Sequence, residues 1–213
     1  MKYEHIIFDL DGVLVSTDEY HYQAWKEIAT EEGIYFDRAI NNRLRGVSRR
    51  ESLEIILERA GRTYTEAEKE ALAERKNRIY QELLQELTSA DTLTGVRETL
   101  VGLRERNLQL AIGSSSKNTM RILRQVGLDT AFDAIADGTE ITHSKPDPEV
   151  FLLAAQKLGA DPADCLVVED APAGVQAGCR AGMPVAGIGE AAKSPQVTYA
   201  LTQIYDLLSI VDR

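Results

Sequence analysis

FDLDGVLVSTDEYH, residues 8–21, places two aspartates one residue apart after a short apolar run and then leads into a helical pattern. The run at residues 6–8 is typical of a buried strand in a parallel sheet, because such strands are continuously apolar. Asp9 and Asp11 would then lie at the carboxyl end of that strand, where open α/β sheets bind ligands. An isolated D-x-D-G also ends strands by capping a turn, so these acids need support from elsewhere in the chain.

The composition predicts a soluble, cytoplasmic, monomeric protein that binds neither nucleic acid nor membranes. The 213 residues carry 34 acidic and 24 basic side chains, and the resulting net charge of -10 repels nucleic acid and anionic membranes. The first residues show no basic region and no long apolar run, so we expect no signal peptide or membrane span. Cys165 and Cys179 have no C-x-x-C or metal-site spacing, so we expect two reduced thiols. No helix pattern suggests an exposed apolar face that would drive association.

Residues 16–86 show helical patterns and no strand. The sequence Ser-Thr-Asp at residues 16–18 is a helix-capping cluster before the first of these helices. Two further helices open on capping boxes, in which a serine or threonine precedes a glutamate by three positions: Ser48 with Glu51, and Thr65 with Glu68. The block is therefore predicted to be an all-helical insertion.

After residue 86 strand and helix patterns alternate, which is typical of a parallel sheet with right-handed crossovers. The predicted strands are residues 109–113, 134–136, 165–168 and 185–188. The predicted helices are residues 96–106, 117–126, 148–158 and 173–181, with a closing helix at 204–211. The sequence thus predicts an α/β fold, with a doubly wound parallel sheet formed by residues 1–15 and 87–213 and a helical cap at 16–86.

Polar side chains follow several of these strands. Ser114 begins a run of three serines before a helix, where hydroxyls can hold phosphate oxygens, although a serine there is also a common helix cap. Lys145 lies in a loop before the next helix, and single loop lysines are usually solvated. Glu169 and Asp170 follow the predicted strand at residues 165–168, just as Asp9 and Asp11 follow the first strand. A second acidic pair at the same sheet edge favours a functional site.

Carboxylates gathered at one sheet edge suit a hard divalent cation such as Mg²⁺. Asp9, Asp170 and Glu169 fit such a site, and the lack of neighbouring histidine or cysteine ligands argues against zinc. With the charge neutralised, a carboxylate can attack phosphorus while the lysine and a serine hydroxyl hold the transferred oxygens. From their positions, we interpret Asp9 as the nucleophile and Asp11, on the turn, as the acid/base.

These residues, in this order and spacing, resemble the four motifs of the haloacid dehalogenase superfamily and span the whole predicted core. The motifs are Asp9-x-Asp11-Gly12, Ser114, Lys145 and Glu169-Asp170. The resemblance implies a Rossmann-like core, a helical cap inserted after the first motif, Mg²⁺ dependence and a phosphorylated Asp9. It also implies that the peptide oxygen of Asp11 is a metal ligand.

The cap sequence is similar to that of the β-phosphoglucomutase group within this superfamily at Thr17, His21, Trp25-Lys26, residues 45–52 and Arg75-Lys76-Asn77, and the core segment at residues 116–118 also agrees. Such enzymes convert β-glucose 1-phosphate to glucose 6-phosphate through β-glucose 1,6-bisphosphate, so hexose phosphates are the expected partners. The resemblance implies catalytic roles for Thr17 and for His21, which positions Asp11. It implies that the substrate is bound by Gly46, Val47, Arg49, Ser52, Lys76, Ser116 and Asn118. Ser16 stands where the family commonly has aspartate, which puts the rate in doubt more than the type of reaction.

Simpler interpretations stay open at this point. A guanidinium suits bidentate contact with a second phosphate, but Arg49 in a first helical turn can also be merely exposed. Lys76 and His21 can be solvated or packing residues, and Trp25 is expected in the core of the cap. The competing functions are a sugar-phosphate phosphatase, in which Asp11 activates water, and a phosphosugar-binding regulatory protein without enzymatic activity.

Overall fold

The core is a six-stranded, all-parallel sheet in the computed structural model, which describes residues 3–212. Its strands are His5–Phe8 (β1), Gln109–Gly113 (β2), Ala134–Ala136 (β3), Cys165–Glu169 (β4), Val185–Gly187 (β5) and Tyr199–Ala200 (β6). The order across the sheet is β3-β2-β1-β4-β5-β6. The sheet is therefore doubly wound, as predicted, and its strand order reverses between β1 and β4.

Nine α-helices connect or follow these strands in the described residues. Four lie between β1 and β2: Asp18–Glu31 (α1), Arg38–Asn42 (α2), Arg49–Leu57 (α3) and Glu66–Leu83 (α4). The other five are Val96–Glu105 (α5), Thr119–Val126 (α6), Glu149–Leu158 (α7), Pro172–Arg180 (α8) and Leu207–Val211 (α9). In this range, no helix is both long and apolar enough to cross a membrane.

The apolar residues of β1 decide which helices cover each face of the sheet. Ile6 and Phe8 belong to a buried cluster that includes side chains of α5, α6 and α9. Ile7 belongs to a second cluster, with Phe151 of α7 and Val175 of α8. Successive side chains of a strand point to opposite faces, so the uninterrupted apolar run places one helical layer on each side of β1.

A third apolar cluster lies among the helices inserted between β1 and β2. Trp25 and Ile28 of α1 pack there with Leu53 of α3 and Leu72 of α4, and all are buried. A helical block with its own core supports the predicted cap at 16–86, although the division into domains stays a prediction. Residues 1, 2 and 213 of the predicted core lie outside the described residues.

Most predicted boundaries of helices and strands fall within two residues of the observed ones. Two elements were missed, and two predictions about local structure need correction. The helix α2 and the strand β6 were not predicted, because five and two residues are too short to show a periodicity. The closing segment begins as a 3₁₀ turn, Ile204–Asp206, before α9. Thr17 occupies the N-cap position of α1, but its side chain makes no capping hydrogen bond.

Candidate active site

The carboxyl ends of β1, β2 and β4 face a cavity of about 860 Å³ that is also lined by residues of α1, α3 and α4. It lies where the strand order reverses, which is the usual ligand position in open α/β sheets. Most of the predicted site residues line it: Asp9, Asp11, His21, Gly46, Val47, Arg49, Ser52, Lys76, Ser114, Ser116, Asn118 and Asp170. The other three, Thr17, Lys145 and Glu169, are fully buried and contact residues of this wall.

Lys145 is a buried ion-pair partner, so the interpretation of a solvated loop lysine is wrong. Its Nζ lies 2.5 Å from Asp9 Oδ1 and 2.6 Å from Glu169 Oε1. Burial alone would lower the pKa of Lys145, but the two carboxylates outweigh it and raise the pKa. A permanent ammonium on one oxygen of Asp9 leaves the other carboxylate oxygen free to act as a nucleophile.

Three carboxylates meet at the sheet edge. Ligand oxygens of Asp9, Glu169 and Asp170 all lie within 4.8 Å of one another. Burial, with the neighbouring charges of Glu169, Asp9 and Asp11, raises the pKa of Asp170 to about 8. The single positive charge of Lys145 offsets only part of the charge of three carboxylates, and an all-oxygen donor set fits a hard divalent ion. These residues therefore fit the predicted metal.

Gly12 shows why the first motif ends in glycine. Its φ is 83°, a left-handed conformation, and a Cβ at this position would lie 2.1 Å from Asp170 Oδ2. Only glycine lets the turn after β1 approach the carboxylate that follows β4. The turn thus brings the first acidic pair against the second.

Asp11 is hydrogen-bonded by Thr17, for which the sequence predicted a catalytic role. The Thr17 backbone N–H donates to Asp11 Oδ1 over 2.6 Å. Burial raises the pKa of Asp11 to about 6, and the hydrogen bonds from Thr17 act in the opposite direction. Ser16 beside it is exposed. A carboxyl with a pKa near neutrality can both give and take a proton.

His21 and Lys76 form a pair inside the cavity wall. Lys76 is only 2% exposed, and its Nζ lies 2.8 Å from His21 Nδ1. Burial first, and then neighbouring cations, hold the pKa of both groups well below their usual values. When Lys76 is protonated it can only donate this bond, and His21 then accepts at Nδ1 with its ring proton on Nε2. The interpretations of these residues as solvated or surface side chains are wrong.

Trp25 is 1% exposed and belongs to the cap cluster, as predicted. Its ring also lies 5.0 Å from Lys76 Nζ and contributes to the cavity lining. The indole therefore supports Lys76 from the side of the cap, at a distance at which an aromatic ring attracts an ammonium.

Arg49 stands apart from its neighbours because it is half-buried and unpaired. No hydrogen bond or ion pair joins it to any residue from 3 to 212, whereas Arg50 pairs with Glu54 and Glu66. Burial lowers the pKa of Arg49. An unpaired guanidinium in a cavity is costly unless an anion joins it. Its position favours an anion site on the cap side.

The loop before α3 connects the cap with the core. Gly46 has φ 77°, and a Cβ there would lie 3.2 Å from the Ala171 Cβ. Glu51 completes the capping box with Ser48 and also accepts a hydrogen bond from Ser144 Oγ of the core. Ser52 is buried at the start of the same helix. The predicted substrate residues of this loop, Gly46 and Val47, thus line the cavity beside the core.

Ser114, Ser116 and Asn118 form consecutive turns rather than a helix cap. The Ser116 N–H donates to Ser114 Oγ over 3.2 Å, and the Asn118 N–H donates to Ser116 Oγ over 3.1 Å. Ser114 is therefore not a helix N-cap, since α6 starts only at Thr119. The carboxamide of Asn118 is bonded to Asn77 and Gln81 of α4, so α4 is fastened to this loop.

Sequence reasoning missed Tyr80 and Gln81 and assigned no role to Asn77, and all three residues connect α4 to the core. Tyr80 OH lies 2.9 Å from Thr17 Oγ1. Asn77 and Gln81, one helical turn apart, hold the two ends of the Asn118 carboxamide at 3.0 and 2.9 Å. The spacing of these three residues on one face of a helix was the available signal, but it does not show which core residue they meet.

Known proteins resemble this chain over most of its length. A family profile described as "Hydrolase: haloacid dehalogenase-like hydrolase" matches residues 3–182. A beta-phosphoglucomutase from Bacillus subtilis (strain 168) is 48% identical over 87% of this chain and 83% of its own. A phosphorylated carbohydrates phosphatase from Thermotoga maritima is 33% identical over 84% of this chain and 82% of its own. The crystal structure of a beta-phosphoglucomutase from Clostridium difficile has a TM-score of 0.93 and 37% identity, covering 99% of this chain and 96% of that one.

Proposed function

Because the chain belongs to the haloacid dehalogenase-like hydrolase family, we propose that its cavity carries out the β-phosphoglucomutase reaction of its relatives. The reaction interconverts β-glucose 1-phosphate and glucose 6-phosphate through β-glucose 1,6-bisphosphate, as an intramolecular phosphotransferase of the isomerase class. The observation that carries the proposal is the pair of cationic groups on the cap side, Arg49 and Lys76, in a cavity whose core side already holds Lys145. A substrate with two phosphates needs cations at both ends.

The core side performs the phosphoryl transfer. The free oxygen of Asp9 attacks one phosphorus of the bisphosphate, forming the aspartyl-phosphate bond as the bond from phosphorus to the sugar oxygen breaks. Lys145 and Ser114 hold the transferred phosphoryl oxygens. In the second half of the reaction the product monophosphate has left and a hydroxyl of β-glucose 1-phosphate attacks the phosphorus. The bond from phosphorus to Asp9 breaks as the bond to that sugar oxygen forms, which regenerates the bisphosphate.

Asp11 moves the proton in both halves. It protonates the sugar oxygen that leaves phosphorus and later removes the proton of the hydroxyl that attacks, which requires a pKa near the working pH. The value of about 6 supports this role. Thr17 holds the carboxylate, and His21, which is bonded to Lys76, has the positioning role that the family resemblance implies.

The non-transferring phosphate and the sugar are bound between cap and core. Arg49 supplies a bidentate contact to the phosphate, and Ser116 and Asn118 approach it from the core. Lys76 faces the sugar hydroxyls, with Ser52 and the backbone of Gly46 and Val47 around them. The half-burial of Arg49 without a partner supports this assignment.

The metal of the proposal is Mg²⁺, held by Asp9, Asp170, Glu169 and the peptide oxygen of Asp11. When bound, it neutralises the crowded carboxylates and the phosphoryl oxygens. The oxygen-only donor set and the raised pKa of Asp170 support a divalent cation at this edge. The same proposal includes a monomer in the cytoplasm.

A sugar-phosphate phosphatase is the second candidate, because the Thermotoga maritima relative carries that description. The two functions differ only in what accepts the phosphoryl group from Asp9. We would incubate the protein with Mg²⁺, β-glucose 1-phosphate and a trace of glucose 1,6-bisphosphate and follow glucose 6-phosphate and free phosphate together. The proposal predicts glucose 6-phosphate in large excess, and free phosphate alone would refute it. Asp9→Asn serves as the inactive control.

A further inference from the structure

Tyr80 of α4 is a buried residue that reaches from the cap to the acid/base carboxylate. Its hydroxyl donates to Thr17 Oγ1 over 2.9 Å, and the two side chains are 1% and 0% exposed. The Thr17 N–H in turn lies 2.6 Å from Asp11 Oδ1. Two hydrogen bonds therefore connect the middle of α4 to Asp11 through Thr17, one made by the Thr17 side chain and the other by its backbone.

The ring of Tyr80 contacts the two other residues on the cap side of Asp11. His21 stacks against it with ring centroids 4.1 Å apart. The Nζ of Lys76, one turn earlier on α4, lies 4.3 Å from the ring centroid, where an ammonium is attracted to an aromatic face. One side chain thus contacts Thr17 with its hydroxyl and the His21–Lys76 pair with its ring.

We propose that Tyr80 is a positioning residue for Asp11. Without the phenol, the Thr17 hydroxyl would lose its donor in a buried environment and its side chain would be free to turn. The carboxylate that depends on Thr17 would then be held less firmly, and proton transfer is sensitive to small displacements of the acid/base. Because α4 also carries Lys76, Tyr80 keeps the sugar-facing lysine and the proton-transferring carboxylate in one geometry. This inference rests on the proposed function, in which Asp11 is the acid/base.

A purely structural role makes a different prediction. Tyr80 also packs in the apolar cluster with Leu84, and its hydroxyl could simply satisfy its own hydrogen bonding. Tyr80→Phe keeps the ring, the stacking and the volume and removes only the hydroxyl. If the role were structural alone, the variant would change thermal stability and leave kcat intact.

The test compares Tyr80→Phe with Tyr64→Phe. Tyr64 is a matched control, because its hydroxyl makes a similar bond of 2.8 Å, to Glu32 Oε2, in the same helical block. We expect kcat for glucose 6-phosphate formation to fall about tenfold in Tyr80→Phe, with KM for β-glucose 1-phosphate within about twofold. The Tm should fall by only a few degrees, as for the loss of one buried hydrogen bond. Tyr64→Phe should keep wild-type kinetics. A wild-type kcat for Tyr80→Phe would overturn the proposal.

The Thr17→Val variant tests whether the Tyr80 phenol acts on Asp11 through Thr17 or by another route. This change removes the hydroxyl and keeps the backbone N–H, so adding Tyr80→Phe to it should cost little further activity. A second tenfold loss in the double variant would show that Tyr80 acts independently of Thr17 and would overturn the proposal. If the wild-type protein releases only free phosphate, the mutase function fails, but the same cycle is then measured on phosphate release, since Asp11 serves either acceptor.

Discussion

Lys145 is the residue that balances the charges of the site. It is buried between Asp9 and Glu169, at 2.5 and 2.6 Å, with side-chain exposure of 1% for the lysine and 1% for Glu169. A buried ion pair contributes little net stability by itself, but the loss of one partner leaves an uncompensated charge. The residue that orients the nucleophile is therefore also one that the fold depends on.

Lys145→Met should lower the free energy of unfolding by about 3–5 kcal/mol at neutral pH. Burial already raises the pKa of Glu169, and loss of the ammonium raises it further. A folded pKa above the unfolded value of 4.5 costs stability as the pH rises through that range, so the deficit should shrink toward pH 4.5. Urea unfolding at several pH values measures it.

Lys157→Met is the matched control for that experiment. Lys157 also pairs with a carboxylate, Glu140, at 2.6 Å, but the two side chains are 32% and 39% exposed, so the pair is worth about 0–1 kcal/mol. Equal losses for the two lysine variants would contradict the account of Lys145.

The helix α4 is the element that connects the two sides of the cavity. It starts on a capping box formed by Thr65 and Glu68, and it carries Lys76 and Tyr80 on the face toward Asp11. Its register is fixed at the N-terminus by the cap and near its C-terminus by the bonds of Gln81. A helix held at both ends can position the side chains between them.

Glu68→Gln should lower the Tm at neutral pH, because the carboxylate accepts the bond from the Thr65 N–H and pairs with Arg62. These contacts lower the pKa of Glu68 from 4.5 to about 2. A lowered folded pKa gives stability that is complete above 4.5 and is lost as the pH falls toward 2. The difference in Tm between variant and wild type should therefore disappear across that interval in scanning calorimetry, and a constant difference would contradict it.

The elements that sequence could predict are those with a local signal. The apolar run before Asp9 predicted the strand β1. The two capping boxes predicted the first residues of α3 and α4 to within one residue. The strand β6 has no signal of its own, because its pairing with β5 depends on the rest of the sheet. The same holds for Tyr80 and Gln81, whose partners lie 63 and 37 residues away. Their roles follow from packing of α4 against residues far along the chain, which a local pattern does not encode.

At the scale of the whole molecule, a protein with a net charge of -10 has to bind anionic substrates through locally placed cations. Lys145 on the core side and Lys76 and Arg49 on the cap side supply them. The pairs that neutralise surface arginines, such as Arg45 with Asp18 at 3.0 Å, leave Arg49 unpaired. On the cap side, Arg49 and Lys76 line the cavity without an ion pair to any carboxylate of residues 3–212, so both are available to an anion although the molecule as a whole is acidic.

Arg49→Ala should raise the KM for glucose 1,6-bisphosphate by about 10- to 100-fold, which corresponds to the loss of one or two charge-assisted hydrogen bonds. The effect on kcat should be smaller, because the lost contact lies away from the transferred phosphoryl group. Steady-state kinetics with the bisphosphate varied measure both constants. Arg50→Ala, which removes the exposed and ion-paired neighbour, should leave them unchanged. An Arg49→Ala enzyme with wild-type kinetics would contradict the role of Arg49.

The central claim is that the phosphoryl group on Asp9 passes to a sugar and not to water. The direct measurement loads the protein with labelled phosphate from glucose 1,6-bisphosphate, chases with β-glucose 1-phosphate and follows where the label appears. Asp9→Asn gives the background. The account predicts that most of the label enters hexose phosphate, and that adding the sugar phosphate greatly speeds its departure from the protein. Label released as free phosphate, at a rate that the sugar phosphate does not change, would contradict it.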